Sequence, residues 1–298
     1  MSEYTKERLA AFNPKHDSFV GIDSDGCVFP TMEIKQKQCF HSEIIKRWKL
    51  EEIGTYVREC AEFANLYSKW RGVNRFPALL MTFDLLRDRP EVRAAGHKIP
   101  DLPALRKYVA SGVTLSNATL KAAAEESGEA ELGYILEWSN AVNANVARIV
   151  KKLPPFRWVA ESLEKMARHS DMIVVSQTPE EALVREWQQS GMDHYIGFIA
   201  GQEMGTKTEH IAMATKGRYL PQRILMIGDA PGDLKAARAN GAFFYPINPG
   251  REEESWRTFQ AEAYDRFLNG TYAGDYEHKL VEVFDRLLPS TPPWKMNK

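Results

Sequence analysis

The sequence predicts an α/β fold: a doubly wound, Rossmann-like parallel sheet of about five strands, with an all-helical domain inserted after the first strand. The first observation is a set of five short apolar runs without apolar–polar alternation, which is typical of parallel strands buried on both faces. The second is that helix-patterned segments separate the last four runs, as in successive βα repeats. The five runs span residues 19–22, 172–175, 196–199, 224–227 and 243–247.

Local signals place two helices between these strands. Thr178, Pro179 and the two glutamates that follow predict a helix with Thr178 as its N-cap, and Gly191 predicts its end. A second helix is predicted from about Asp233 to Asn240–Gly241. Each helix follows a predicted strand closely, which is the order that a doubly wound sheet requires.

The first strand is separated from the others by a long helix-rich stretch. We therefore expect residues 31–154 to form a helical domain inserted into an α/β domain made of residues 1–30 and 155–298. Within the latter, residues 251–298 form a tail that we expect to pack on the α/β domain through helices at 252–268 and 274–287. Amphipathic helices in the insert are predicted at 40–50, 51–71, 76–88, 103–110, 117–126 and 131–152.

The charge composition of the chain indicates which kinds of partner the protein does not bind. The 298 residues carry 39 Lys and Arg against 40 Asp and Glu, a net charge of −1. Binders of nucleic acid or of membrane surfaces need a basic excess, so we expect neither partner. The three cysteines have no metal-like spacing, and the start of the chain has no signal-peptide core. We expect a cytoplasmic protein with reduced thiols, either a monomer or a homodimer.

Two carboxylates, Asp23 and Asp25, directly follow the first predicted strand. Residues two positions apart in an extended segment project to the same side, and ligands of open α/β sheets bind at the carboxyl ends of the strands. The pair could hold a hard cation such as Mg²⁺, or divide into a nucleophile and an acid/base. A solvated acidic turn explains the pattern as well if it stands alone.

A second acidic loop, with Asp229 and Asp233, follows another predicted strand. Asp233 can be explained as a helix cap. Asp229 ends an apolar run, where an unpaired charge is costly, so cation binding explains it better than capping.

Ser176 and Lys207 are candidate anion ligands. Ser176 ends a predicted strand just before a helix, where a hydroxyl and backbone N–H groups can bind an anion. Lys207 opens a predicted helix, where a cation is unfavourable unless an anionic ligand or neighbouring carboxylates balance it. An ordinary capping turn and an exposed lysine are the alternatives.

Taken in order, these motifs resemble those of the haloacid dehalogenase-like hydrolase superfamily, and the helical insert resembles the cap domain that many members carry between the first and second motifs. The matching residues are Asp23-Ser24-Asp25-Gly26, Ser176, Lys207, and Gly228-Asp229 with Asp233.

The resemblance implies a Mg²⁺-dependent phosphatase acting on a small phosphorylated metabolite. Asp23 would attack phosphorus to form an aspartyl-phosphate, and Asp25 would act as general acid and then general base. Mg²⁺ would be held by Asp23, the Asp25 backbone carbonyl, Asp229 and Asp233. The phosphoryl oxygens would be bound by Ser176 and Lys207, and we assign Gln177, beside Ser176, to substrate binding.

Two arginines of the insert, Arg71 and Arg75, are further candidates for substrate binding, because arginine suits bidentate recognition of carboxylate or phosphate. A solvated loop between helices is the alternative. Asp25 favours phosphate esters over the halide and phosphonate substrates of other members of the family. A phosphomutase of the β-phosphoglucomutase kind remains open, as does an inactive binding protein on the same fold.

Overall fold

The computed structural model describes residues 4–296 and contains one parallel five-stranded sheet. The strand order is β3-β2-β1-β4-β5, so β1 is central, with β2 and β4 as its neighbours. The predicted α/β class is confirmed. The strands are β1 (Phe19–Ile22), β2 (Asp171–Val175), β3 (Phe198–Ala200), β4 (Ile224–Gly228) and β5 (Phe243–Pro246).

Helices make up most of the remaining chain. In chain order they are α1 (Lys6–Ala10), α2 (Thr31–Ile34), α3 (His41–Trp48), α4 (Gly54–Asn65), α5 (Arg75–Asp88), α6 (Pro90–Ala94), α7 (Pro103–Ala110), α8 (Asn117–Ser127), α9 (Ala130–Ile149), α10 (Val159–Met166), α11 (Glu180–Ser190), α12 (Lys207–Thr215), α13 (Pro231–Ala239), α14 (Glu252–Thr258), α15 (Tyr264–Leu268), α16 (Asp275–Leu287) and α17 (Pro293–Met296). Two π-helical segments, Lys35–Phe40 and Phe259–Ala263, continue directly into α3 and α15.

The chain divides into two compact units. One, the α/β unit, runs to Met32 and resumes at Lys152–Pro289; the other, the helical unit, comprises Glu33–Lys151 and the residues from Ser290 onwards. The domain boundaries predicted from the sequence, after residues 30 and 154, lie two and three residues from the boundaries in the structure. The sequence analysis also assigned the entire tail to the α/β domain, whereas the last described residues belong to the helical unit. Residues 1–3 and 297–298 of the expected domains lie outside the described part of the chain.

Alternate residues of each strand face opposite sides of the sheet, and both sides are covered. Val20 and Ile22 of β1 pack with α10, α11 and the tail segment around Trp256 and Tyr264. Phe19 faces the other side, with residues of α1, α12, α13 and α16. Burial on both faces explains why the strands read as continuous apolar runs.

The tail contributes to both units: most of it packs in the α/β unit, and its last described residues pack in the helical unit. Trp256 and Tyr264 are completely buried in the α/β unit, as the sequence analysis expected for the tail. Trp294 of α17 instead packs its ring against Phe63 of α4, and the guanidinium of Arg89 lies 4.2 Å from the Trp294 ring centroid. Trp294 with its cation–π contact, and Lys295 with an ion pair to Asp88 at 2.6 Å, therefore tie the end of the described chain to the helical unit.

The helical unit has its own core. Large side chains from several of its helices are buried together, including Phe76, Phe83, Leu105 and Trp138. All six predicted helical segments of the insert contain helix, although the segment predicted at 51–71 is helical mainly over α4. Among the helices that the structure describes, none combines the length and apolar character needed to span a bilayer.

Candidate active site

The central position of β1 brings three predicted residues to one edge of the sheet. Asp23 follows β1, Ser176 follows β2 and Asp229 follows β4, and all three strands are parallel. The Asp23 backbone N–H donates to the Ile227 carbonyl at 3.0 Å, which fixes this residue against β4. The edge is the carboxyl edge beside the central strand, where open α/β sheets bind ligands.

Lys207 joins two of the carboxylates. Its Nζ lies 2.8 Å from Oδ2 of Asp23 and 2.6 Å from Oδ1 of Asp233. The side chains of Asp23 and Asp233 are 5% and 0% exposed, so both ion pairs are shielded from water. Lys207 is the first residue of α12, and the carboxylates provide the balancing negative charge that the sequence analysis required there.

Gly228 and Ala230 set the position of the Asp233 carboxylate in the site. The Ala230 N–H donates to Oδ2 of Asp233 at 3.0 Å, so this carboxylate closes the first turn of α13 while its other oxygen binds Lys207. A Cβ atom at Gly228 would lie 2.3 Å from Cγ of Asp233, closer than atoms can approach. Gly228 is therefore required for the carboxylate to occupy this place.

The acidic cluster has the composition of a site for a hard divalent cation. Oxygens of Asp23, Asp229 and Asp233 lie within 4.8 Å of one another, and all three residues are buried. Asp229 repels the negative charges of both Asp23 and Asp233, and a divalent cation bound between the carboxylates would offset that repulsion. Clustered carboxylate oxygens are the ligands that Mg²⁺ takes in proteins, so the residues present fit the expected ion.

The burial and closeness of these charged groups shift the pKa values of Asp23, Asp233 and Lys207. Burial raises the pKa of Asp23 well above its usual range, against the opposing attraction of Lys207. Burial likewise raises the pKa of Asp233, and the neighbouring Asp229 adds to the effect. Burial alone would lower the pKa of Lys207, but Asp23 and Asp233 outweigh it and raise that pKa. The ammonium group therefore stays charged and favours the ionised form of Asp23.

Ser176 and Gln177 follow β2 at the same edge. The Ser176 N–H donates to the Ala200 carbonyl at 3.0 Å, and its Oγ accepts from the Thr178 N–H at 3.2 Å, so the hydroxyl can donate its own proton to an anion. The amide of Gln177 donates to the Gly205 carbonyl at 2.8 Å and so contacts the loop before Lys207. The substrate-binding role of Gln177 stays a prediction.

Asp25 lies in the loop after β1 and is held by two threonines that the sequence analysis did not assign to the site. Its Oδ1 accepts a hydrogen bond from Thr31 Oγ1, and its Oδ2 accepts one from Thr178 Oγ1 at 2.6 Å. The prediction that Thr178 is the N-cap of α11 is wrong, because Pro179 occupies that position and the helix begins at Glu180. The Thr178 hydroxyl binds the Asp25 carboxylate.

Arg71 and Arg75, in the helical unit, have structural partners. Arg71 is buried and donates to the Leu66 carbonyl at 2.9 Å. Arg75 donates to Ser139 Oγ at 2.8 Å and to Asn143 Oδ1 at 2.7 Å, and burial lowers its pKa to about 10. These bonds use donors that the sequence analysis assigned to a substrate, and the substrate-binding role of both arginines stays a prediction.

The fold and the site together are typical of α/β enzymes that act at a buried acidic site on the carboxyl edge of a parallel sheet. Residues 106–246 match the family model described as haloacid dehalogenase-like hydrolase. The match covers a little under half of the chain and contains Ser176, Lys207, Asp229 and Asp233, whereas Asp23 precedes it. Over these residues the chain is similar to haloacid dehalogenase-like hydrolases.

Solved structures also match the chain, at low similarity. A β-phosphoglucomutase from Clostridium difficile is 14% identical over 85% of this chain and 97% of its own, with a TM-score of 0.48. A putative phosphoglycolate phosphatase from Lactobacillus delbrueckii subsp. bulgaricus is 16% identical over 90% and 98%, with a TM-score of 0.47. A predicted phosphoglycolate phosphatase from Haemophilus somnus is 14% identical over 77% and 84%, with a TM-score of 0.46. No curated protein matches the sequence significantly.

Proposed function

We propose that this protein is a Mg²⁺-dependent phosphatase that hydrolyses a small phosphorylated metabolite through an aspartyl-phosphate on Asp23. The observation that carries the proposal is the buried Asp23 carboxylate, which directly follows the central strand, pairs with Lys207 and lies close to Asp229 and Asp233. A nucleophilic carboxylate must stay ionised when it is buried, and the adjacent ammonium group favours that state. The family match supports hydrolysis as the reaction class.

In the first step, an Asp23 oxygen attacks phosphorus and the bond from phosphorus to the leaving oxygen breaks. The Ser24 N–H donates to Oδ1 of Asp23 at 2.8 Å, and Lys207 binds Oδ2, so the nucleophile is oriented before substrate arrives. Lys207 and the Ser176 hydroxyl are the groups suited to bind the transferring phosphoryl oxygens.

Asp25 supplies the proton chemistry. It gives a proton to the leaving oxygen in the first step and takes one from water in the second, as the water oxygen attacks phosphorus and the bond to Asp23 breaks. Asp23, Asp229 and Asp233 would hold Mg²⁺, together with the Asp25 carbonyl that the family resemblance implies. When bound, the ion neutralises charge on the phosphoryl group and on the three carboxylates.

The test is release of inorganic phosphate from a panel of sugar phosphates, phosphoglycolate, nucleotides and phosphonates, with Mg²⁺ and with EDTA. We expect Mg²⁺-dependent release from at least one phosphate ester and its loss in Asp23→Asn. Asp285→Asn, an exposed aspartate on α16, is the matched control and should retain activity. Absence of Mg²⁺-dependent turnover across the panel would contradict the proposal and favour an inactive binding protein.

Asp25→Asn separates the two half-reactions. We expect loss of turnover together with some trapped phosphoenzyme, detectable after acid quenching with labelled substrate, because Asp23 can still attack when the leaving group needs no proton. If the wild-type protein produces isomerised substrate and no free phosphate, the protein is a phosphomutase, in which a substrate hydroxyl replaces water as the attacking group.

A further inference from the structure

Within the α/β unit, each oxygen of the Asp25 carboxylate accepts a hydrogen bond from a threonine hydroxyl. Thr31, the first residue of α2, donates to Oδ1, and Thr178, in the loop after β2, donates to Oδ2 at 2.6 Å. Thr31 is 1% exposed and Thr178 is partly buried, so neither bond lies fully in water. The two donors come from separate segments of the chain, and one of them is 153 positions away from Asp25.

The backbone after β1 is folded so that Thr31 can reach back to Asp25. Gly26 adopts a left-handed φ of 79°, and its N–H donates to the Phe29 carbonyl at 2.8 Å. Val28 donates its N–H to the Ser24 carbonyl at 2.9 Å. This tight loop returns the chain toward Asp25, and Thr31 is then six positions away in sequence but in direct contact.

Threonine is suited to this task. Its β-branched side chain has few χ1 rotamers, so the hydroxyl is presented in a defined direction. An aspartate with both oxygens bound has little freedom about its own side-chain torsions. A proton-transfer group displaced by about 1 Å can lose roughly 100-fold in rate.

We propose that Thr178 and Thr31 are positioning residues that hold the Asp25 carboxylate where it exchanges a proton with the leaving oxygen and with water. The proposal deepens the proposed function and rests on it for the role of Asp25. Neither threonine needs to touch the substrate or the phosphoryl group for this role.

The kinetic test compares two phosphate esters in Thr178→Val and Thr31→Val, which remove the hydroxyl at nearly constant volume. An alkyl phosphate needs its leaving oxygen protonated, whereas dinitrophenyl phosphate does not. We expect kcat/KM for the alkyl ester to fall by about 10- to 100-fold and that for the dinitrophenyl ester to fall by less than about threefold. Thr178→Ser and Thr31→Ser, which restore a hydroxyl, should recover most of the loss.

Thr215→Val is the matched control. Thr215 is buried in the same unit, and its hydroxyl donates to the Ile211 carbonyl at 2.7 Å. The control should leave the ratio of the two kcat/KM values unchanged. Equal losses on both esters in the Thr178 and Thr31 variants, or no loss, would overturn the positioning role.

Crystal structures of the wild type and of the double variant Thr31→Val/Thr178→Val provide a readout that does not depend on activity. We expect the Asp25 side chain to have one orientation in the wild type and to move or occupy several in the variant. An unchanged Asp25 would overturn the proposal. If the wild type hydrolyses no ester but Asp25 moves in the variant, the proposed function fails while the positioning contacts stand.

Discussion

Lys207 and Asp233, 26 positions apart in the chain, form an ion pair with 2.6 Å between Nζ and Oδ1. Asp233 is fully buried, and its other carboxylate oxygen accepts the Ala230 N–H that precedes α13. A residue at the start of α12 and one in the first turn of α13 are therefore locked together, and Asp23 shares the same ammonium group. Stability and the chemistry of the site depend on the same few contacts.

Lys207→Met should destabilise the protein strongly when metal is absent. Removing one partner of a buried ion pair costs about 3–5 kcal/mol, because the remaining charges are left uncompensated. Urea unfolding in EDTA measures the loss, and Lys216→Met, an exposed lysine directly after α12, should change stability by less than about 0.5 kcal/mol. Added Mg²⁺ should restore part of the loss. Equal stability of Lys207→Met and wild type in EDTA would exclude a net stabilising role for the lysine.

Gly228→Ala should disturb Asp233 without altering any charged group. The added Cβ would lie 2.3 Å from Cγ of Asp233, so the carboxylate or the strand end must shift, at a cost of about 1–3 kcal/mol. Gly232→Ala is the control, since a Cβ there meets nothing within 4 Å and alanine favours the helix. Thermal unfolding should show a lower Tm, and calorimetric titration a lower affinity for Mg²⁺, only in Gly228→Ala. Matching behaviour of the two variants would refute the packing argument.

The sheet and most of the acidic site could be predicted from the sequence for a simple physical reason. Parallel strands end at a common edge, so polar residues that follow separate apolar runs converge without any knowledge of side-chain contacts. Asp23, Ser176 and Asp229 follow directly from this rule. Lys207 could be placed because its charge is wrong for a helix start, which implied a nearby anion.

The threonines and the tail could not be predicted in the same way. Thr178 precedes a proline and a helix, so local rules assign its hydroxyl to capping, whereas its acceptor is 153 positions away. The assignment of Trp294 to the helical unit depends on its contacts with Phe63 and Arg89, and neither residue carries a sequence signal for it. Both errors concern single side chains whose partners are set by tertiary packing.

Asp229→Asn should separate stability from metal binding. The substitution removes one of three clustered buried carboxylates at constant volume, so the metal-free protein should become more stable while the Mg²⁺-induced rise in Tm disappears. Thermal unfolding with Mg²⁺ and with EDTA gives both quantities, with Asp285→Asn as the exposed control. Retention of the full Mg²⁺-induced rise in Asp229→Asn would remove this residue from the metal site.

Acid should destabilise the protein through His210. This residue of α12 is fully buried, and burial, with a smaller contribution from Lys207, lowers the pKa of its imidazole to about 4. The unfolded chain, with a pKa near about 6.5, then binds more protons than the folded protein between these values, so the free energy of unfolding falls as pH decreases through that window. His210→Leu should flatten this dependence by up to about 1.4 kcal/mol per pH unit, measured by urea unfolding across the window.

His278→Leu is the control for this prediction, because the His278 side chain is 73% exposed whereas His210 is fully buried. Other groups that titrate in the window, including the clustered carboxylates, are the same in all three proteins and cancel in the comparison. A pH dependence that is identical in His210→Leu and in the wild type would mean that His210 takes up its proton equally well in the folded and the unfolded chain. In that case the buried imidazole would have to gain a hydrogen-bond acceptor or water when protonated, since burial alone opposes the charge.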